Sequence, residues 1–362
     1  MASQRRLRVG LIGTGTIAFS AHLPAIRKLR DELELVAVSD IRAETALRAA
    51  EDFGAEAHYV DYREMLARHQ LDFVDICTPE FLHAEQTEAA AAAGVHVICE
   101  KPMSHTLADA DRMLNACAQA GVHLMIAHSR RFTGRYRRIR EAIDRGEIGE
   151  VRYVRENERR PRTMYDRLAL AASHWTPDGA RSWLTLAEYS KGAAMANAVH
   201  ETDLAGWFIG RPALSVFAES RVTQPDGEVP DMLSYTIHFE GGAIGAAEVV
   251  NNLPRGYPYY HLMEVIGTAG RIRAMDPYLS PLTIADETAL RQPDNFPTLL
   301  HVDQAYVDEL SAFARTVRTG APLPVDPREA RKAVELSLAV VQSSERGVPV
   351  TLPLIEEVAA NG

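Results

Sequence analysis

Leu7 to Ile12 form a short apolar run that leads directly into Gly13-Thr14-Gly15-Thr16-Ile17-Ala18 and then a helical pattern. A strand passing to a helix through G-x-G-x-x-A constrains the fold more than anything else in the chain. The first glycine allows the tight turn, the second lets a pyrophosphate approach the backbone, and the helix amino terminus receives the phosphate charge. This spacing predicts a dinucleotide site around Gly13, Gly15, Thr16 and Ile17. A Walker A loop is excluded, because Gly10-x4-Gly15 is followed by Thr16 where that loop needs lysine.

The surrounding pattern agrees. Leu33 to Asp40 reads as a second strand ending in a carboxylate where ribose hydroxyls would lie, so Asp40 predicts NAD over NADP, with Arg42 able to tolerate an extra phosphate. Asp61 with Glu64 three residues on resembles a capping box. Strands at 71–77, 96–99 and 123–127 alternate with helices, one of them running from Thr106 to Gly121. The expected fold class is α/β: an amino-terminal, doubly wound parallel Rossmann sheet of six strands. Its strand ends line the cofactor crevice.

After about residue 150 the period changes. Val151 to Arg155 reads as a strand, and residues 156–190 as an irregular stretch. Leu233 to Phe239 alternates with period two, followed by Gly241-Gly242 and a second run to Val250, a hairpin signature. Residues 259–275 suggest another hairpin, and helices are expected near 303–318 and 327–346. The second part therefore reads as an α+β domain with a large, mainly antiparallel open sheet. One face of that sheet lacks helices to cover it, which predicts a homodimer or homotetramer. The expected boundaries are 1–128 for the dinucleotide domain and 129–362 for a substrate-binding and oligomerisation domain.

A chain of 362 residues suits two such domains, and its 24% charged residues suit a globular protein. A net charge of −10 argues against nucleic acid as partner. The +6 excess between Arg130 and Arg167 fits a salt-bridged helix face or a pocket for an anionic substrate group. No apolar run approaches a membrane span, and no secretory h-region precedes the first strand. Cys77, Cys99 and Cys117, an odd number without C-x-x-C spacing, suit reduced thiols and the cytoplasm. No metal-ligand spacing is present, nor a G-x-S-x-G or Tyr-x-x-x-Lys pair, since Tyr189 and Lys191 stand too close.

Only four of the 39 basic residues are lysines, so each lysine raises the question of whether a compact ammonium was required. One of them, Lys101, ends a strand in Glu100-Lys101-Pro102. Gly13-x-Gly15, Asp40, Cys77-Thr78-Pro79 with His83, Glu100-Lys101-Pro102, Arg130-Arg131-Phe132, Gly146-Glu147-Ile148-Gly149 and Gly267-Thr268-Ala269-Gly270 occur in that order. Together they make the chain resemble the glucose-fructose oxidoreductase / inositol dehydrogenase / MocA family.

The resemblance implies hydride transfer between NAD(P) and a secondary alcohol of a sugar, inositol or related polyol. It implies cofactor contacts at Cys77, Thr78, Pro79, His83, Glu100 and Lys101, and catalytic roles for Lys101 and His200. The family's aspartate four residues before the histidine is Ala196 here, with Asn197 beside it. An aspartate at 196 would lie one helical turn before His200 and raise its pKa. Asp203 is then the nearby acid expected to substitute. Arg131, Tyr165, Trp175, Trp183, Tyr189 and Asn197 are candidate substrate contacts, the aromatic faces being suited to a sugar's C–H surface. A redox-neutral enzyme using bound NAD transiently and a catalytically impaired NAD-binding sensor are the alternative readings. His22 is expected to pack near the dinucleotide rather than react.

Overall fold

The computed structural model describes residues 5–162, 183–224, 227–254, 257, 259–276, 280–286, 290–291 and 302–354. The chain divides into two units, Met1–Gly134 with Leu300–Arg331, and Arg135–Leu299 with Lys332–Gly362. The sequence boundary at 128/129 differs from this division, because a helix expected in the second part returns to the first.

In the first unit, strands β1 (Leu7–Ile12), β2 (Leu33–Ser39), β3 (Ala57–Tyr59), β4 (Phe73–Ile76), β5 (His96–Glu100) and β6 (Leu124–Ala127) form one sheet in the order β3-β2-β1-β4-β5-β6. Every pairing is parallel. The order reverses between β1 and β4, which opens the crevice where such sheets bind ligands. Helices α1 (Leu23–Lys28), α2 (Ala43–Phe53), α3 (Tyr62–Arg68), α4 (His83–Ala92) and α5 (Leu107–Ala120) connect the strands.

The caps are those the sequence signals. The Asp61 side chain accepts from the Arg63 N–H at the start of α3, and Thr106 Oγ1 accepts from the Asp109 N–H at the start of α5. Gly121 ends α5 in the left-handed conformation. β4 and β6 are buried along their whole length, as a sheet covered on both faces requires.

The second unit contains α6 (Gly134–Asp144), nearly all of which belongs to it, α7 (Ala198–Ile209) and a nine-stranded sheet. Its strands are β7 (Val151–Pro161), β8 (Ala213–Arg221), β9 (Met232–Phe239), β10 (Ile244–Leu253), β11 (Tyr260–Gly267), β12 (Gly270–Asp276), β13 (Ser280–Asp286), β14 (Leu290–Arg291) and β15 (Val350–Thr351). They run in the order β14-β13-β12-β11-β7-β10-β9-β8-β15. Among the described residues, only the β7–β10 pair of this sheet is parallel.

Leu233, Tyr235, Ile237 and Phe239 of β9 point into the core, and Ser234, Thr236 and His238 lie on the opposite face, as the alternation requires. The two glycine motifs meet in space. The Ala269 N–H donates to the Ile148 carbonyl, and a Cβ on Gly267 would lie 2.0 Å from that same oxygen, so no side chain fits there.

Helix α8 (Val302–Thr319) is the segment that returns to the first unit. Phe313 packs edge-on against Phe73 of β4, ring centroids 5.4 Å apart, and both rings are fully buried. Helix α9 (Pro327–Arg346) follows, its residues from Lys332 onward belonging to the second unit.

Candidate functional site

β1 ends at Gly13, whose φ of +91° suits glycine. A Cβ there would meet Thr78 Cγ2 at 2.7 Å and the Thr78 backbone nitrogen at 2.9 Å, so the turn after β1 packs directly on the turn after β4. A Cβ on Gly15 would meet no atom within 4 Å, which leaves open space beside the backbone where the second glycine of the motif is needed. Thr16 is exposed and Ile17 half-buried at the start of the helix. These residues fit a dinucleotide pyrophosphate.

Asp40 stands just past β2 and is 5% exposed. Its Oδ2 accepts from the Thr14 N–H at 2.9 Å and from the Thr14 hydroxyl at 3.1 Å, and its Oδ1 accepts from the Arg42 N–H at 2.9 Å. A carboxylate offers about four acceptor positions. Asp40 is thus fixed against the glycine turn, with Oδ1 the oxygen that has acceptor capacity left.

After β4, the Thr78 hydroxyl donates to Gln86 Oε1 at 2.6 Å, Pro79 is buried, and His83 is fully buried. His83 Nε2 lies 2.8 Å from the Thr78 carbonyl and Nδ1 3.0 Å from the Pro102 carbonyl. The imidazole is a strut between the turns that follow β4 and β5. Burial lowers its pKa. Between these residues stands Glu80, which the sequence reading passed over. It is 4% exposed, its Oε1 has no hydrogen-bond partner, and burial pushes its carboxyl up to about 7 despite its own backbone N–H and the Lys101 ammonium, which pull it down.

β5 delivers Glu100, 5% exposed, and Lys101, half-buried. The Lys101 N–H donates to Glu100 Oε2 at 3.0 Å. Cys77 is buried, and burial raises its thiol pKa, so it behaves as a neutral donor to Asp75 rather than a nucleophile. Arg131 is 7% exposed in the short helical turn Ser129–Phe132.

In the second unit His200 lies in the first turn of α7, half-buried, its N–H donating to the Asn197 carbonyl. The helix does not extend back to Ala196. Residues Ala193–Ala196 form a separate turn, and Asn197 between them has φ −125° and ψ −59°, outside helical geometry. The one-helical-turn relation between position 196 and His200 is therefore corrected. The neighbouring Glu201 and Asp203 are both buried.

Asn197 accepts from both terminal nitrogens of Arg160, at 2.7 and 3.0 Å, and its amide lies 2.7 Å from that of Asn251. Arg160 also donates to Glu158, which accepts from the Tyr259 hydroxyl at 2.9 Å. Glu156, Glu201 and His261, all buried, each bring one ligand atom within 4.8 Å of the others. This trio could hold a metal ion, as could His22, Asp75 and Cys77 in the first unit. Local spacing could not reveal residues so far apart in the chain.

Trp183 and Tyr189 are half-buried on either side of Leu186; Tyr165 and Trp175 lie outside the described residues. Several arginines of the segment 130–167 stand in ion pairs, Arg138 with Glu141 and Arg145 with Glu147 inside it and Arg159 with Glu248 outside it.

The model of an oxidoreductase family with an NAD-binding Rossmann fold, GFO/IDH/MocA, matches residues 7–128, and the model of that family's carboxy-terminal domain matches residues 136–273. The chain is 30% identical over 353 residues to the myo-inositol 2-dehydrogenase of Thermotoga maritima, covering 96% of this chain and 98% of that one. It is 28% identical over 344 residues to the D-xylose 1-dehydrogenase (NADP(+)) 2 of Haloferax volcanii, covering 95% and 99%. The crystal structure of the WlbA dehydrogenase from Bordetella pertussis, in complex with NADH and UDP-GlcNAcA, superposes with a TM-score of 0.80 at 27% identity, covering 97% of this chain and 100% of that one.

Proposed function

The chain belongs to the GFO/IDH/MocA oxidoreductase family, and from that premise we propose that it oxidises a ring secondary alcohol of an inositol or sugar with NAD. The carrying observation is the position of Lys101: a half-buried ammonium at the carboxyl end of β5, in the same sheet whose glycine turn presents open space beside Gly15. The inositol and xylose dehydrogenases among the relatives support the substrate class.

Bound NAD supplies the hydride acceptor. Lys101 holds the substrate oxygen and stabilises the charge that develops on it. His200 takes the hydroxyl proton, a task suited to an imidazole near neutral pKa. Asp40 Oδ1 receives a ribose hydroxyl and disfavours a 2′-phosphate, so NAD is preferred over NADP. Gly13, Gly15, Thr16, Ile17, Thr78 and Pro79 form the dinucleotide cradle, and His83 braces it. Arg131, Trp183 and Tyr189 are the described candidates for holding the sugar.

The protein acts as a homodimer or homotetramer joined through the outer face of the nine-stranded sheet, where Phe217 and Met232 are exposed. The three free, buried cysteines suit the cytoplasm.

The test is a screen of NAD reduction over inositols, aldoses and their acidic derivatives. NADH accumulating with at least one of them is the expected result. Turnover without NADH would favour the redox-neutral reading, and NAD binding without any turnover would favour a sensor.

A further inference from the structure

His22 follows the glycine turn by seven residues and is fully buried, yet both its ring nitrogens face carboxylates. Nδ1 lies 2.8 Å from Asp75 Oδ2, and Nε2 lies 2.9 Å from Glu100 Oε1. The remaining oxygens are also engaged. Asp75 Oδ1 accepts from the Cys77 thiol, and Glu100 Oε2 accepts from the Lys101 N–H. A continuous chain of hydrogen bonds therefore runs Cys77–Asp75–His22–Glu100–Lys101, from the end of β4 to the end of β5.

The helix is built to place this ring. Ala18–His22 form a π-helical turn between the glycine turn and α1, and a wider turn changes the direction of the side chains it carries. Burial alone would lower the His22 pKa, but the charge and hydrogen bond of Asp75 hold it well above its ordinary value. Burial likewise opposes ionisation of Glu100, while His22 and Lys101 hold its pKa down. Both ring nitrogens lie within hydrogen-bond distance of a carboxylate oxygen. Tyr306, with ring centroid 5.0 Å from His22, and buried Glu309 complete its surroundings.

We propose that His22 is a positioning residue: by fixing the Glu100 carboxylate, which in turn holds the Lys101 backbone, it ties the helix behind the dinucleotide turn to the lysine at the reacting oxygen. The proposal rests on the reading of Lys101 given above. The two partners of the His22 ring stand on different strands, Asp75 on β4 and Glu100 on β5, so the ring links the two strand ends as well as filling space. Here removal of the ring leaves two buried carboxylates without the hydrogen-bond partner that bridges them, and Glu100 must reorient.

The experiment exploits the scarcity of lysine. Protein labelled with 13Cε-lysine gives one signal for each of Lys28, Lys101, Lys191 and Lys332, and Lys101→Arg identifies the relevant one. In His22→Asn the Lys101 signal is expected to move and the other three to stay, with NAD affinity by fluorescence changed by less than about threefold. With myo-inositol and NAD, kcat is expected to fall about tenfold or more while KM changes by less than about threefold. The double variant with Lys101→Ala should be no slower than Lys101→Ala alone.

An unmoved Lys101 signal, or losses that multiply in the double variant, would overturn the proposal. If His22→Asn does not fold, Glu100→Gln serves instead, since its amide presents an N–H to one of the two donors and should move the same signal. If Lys101→Ala leaves kcat intact, the catalytic assignment of Lys101 fails, and the lysine signal still reports separately whether His22 positions it.

Discussion

Glu80 shows at the scale of one residue how burial writes chemistry into this site. Its carboxyl, raised from 4.5 to about 7, binds its proton more tightly in the folded state than in the unfolded chain. The contribution to stability is fully present below about pH 4.5 and is lost as pH rises towards 7, amounting to roughly 3 kcal/mol. Glu80→Gln should therefore flatten the fall in Tm between pH 5 and 7.5 and raise Tm at pH 8 relative to wild type; thermal melts across that range check it, and a variant less stable than wild type at pH 8 would contradict it. Asp40 gives the second test. Its Oδ2 is committed to Thr14 and its Oδ1 keeps acceptor capacity, so Asp40→Ala should weaken NAD binding by about tenfold while narrowing the preference over NADP. Fluorescence titration of both cofactors measures this.

Among the elements, α8 is the one whose partner local sequence does not disclose. Phe313→Ala should cost about 3–5 kcal/mol, because the ring is fully buried against Phe73 and its removal leaves a cavity in the first unit. Urea denaturation gives the value, and a cost under about 1 kcal/mol would show that α8 does not anchor there. The helix itself is legible from its apolar period, but its attachment to β4 is a contact across some 240 residues that periodicity does not carry. The same limit separates what was readable in the site from what was not. Gly13, Asp40 and Lys101 sit at strand ends, where an alternating pattern places them directly. The break at Asn197 was not readable, because alanines flank it on both sides with no Gly or Pro to signal an end, and the interruption comes from Asn197 being held by Arg160 and Asn251. β7 likewise extends to Pro161, past the expected Arg155, because pairing with β10 and β11 sustains polar residues such as Glu156 and Glu158 in a strand.

At the scale of the whole molecule, the chain comprises two units of different architecture: a parallel sheet with an open glycine turn, and a mixed sheet with His200 on the helix that packs on it. The outer face of the second sheet exposes Phe217 and Met232, so light scattering at micromolar concentration should give a dimer or tetramer, and a 39.9 kDa particle would contradict the proposed assembly. The proposed reaction is hydride transfer from a polyol carbon to NAD with Lys101 at the oxygen. The most direct measurement is single-turnover formation of NADH from a ring-deuterated myo-inositol by wild type and Lys101→Ala. Deuterium is expected at the nicotinamide C4 with wild type, with a rate at least about a hundredfold lower in the variant and NAD affinity retained. Deuterium that never reaches the nucleotide from any inositol or aldose tried, or a Lys101→Ala rate equal to wild type, would contradict it.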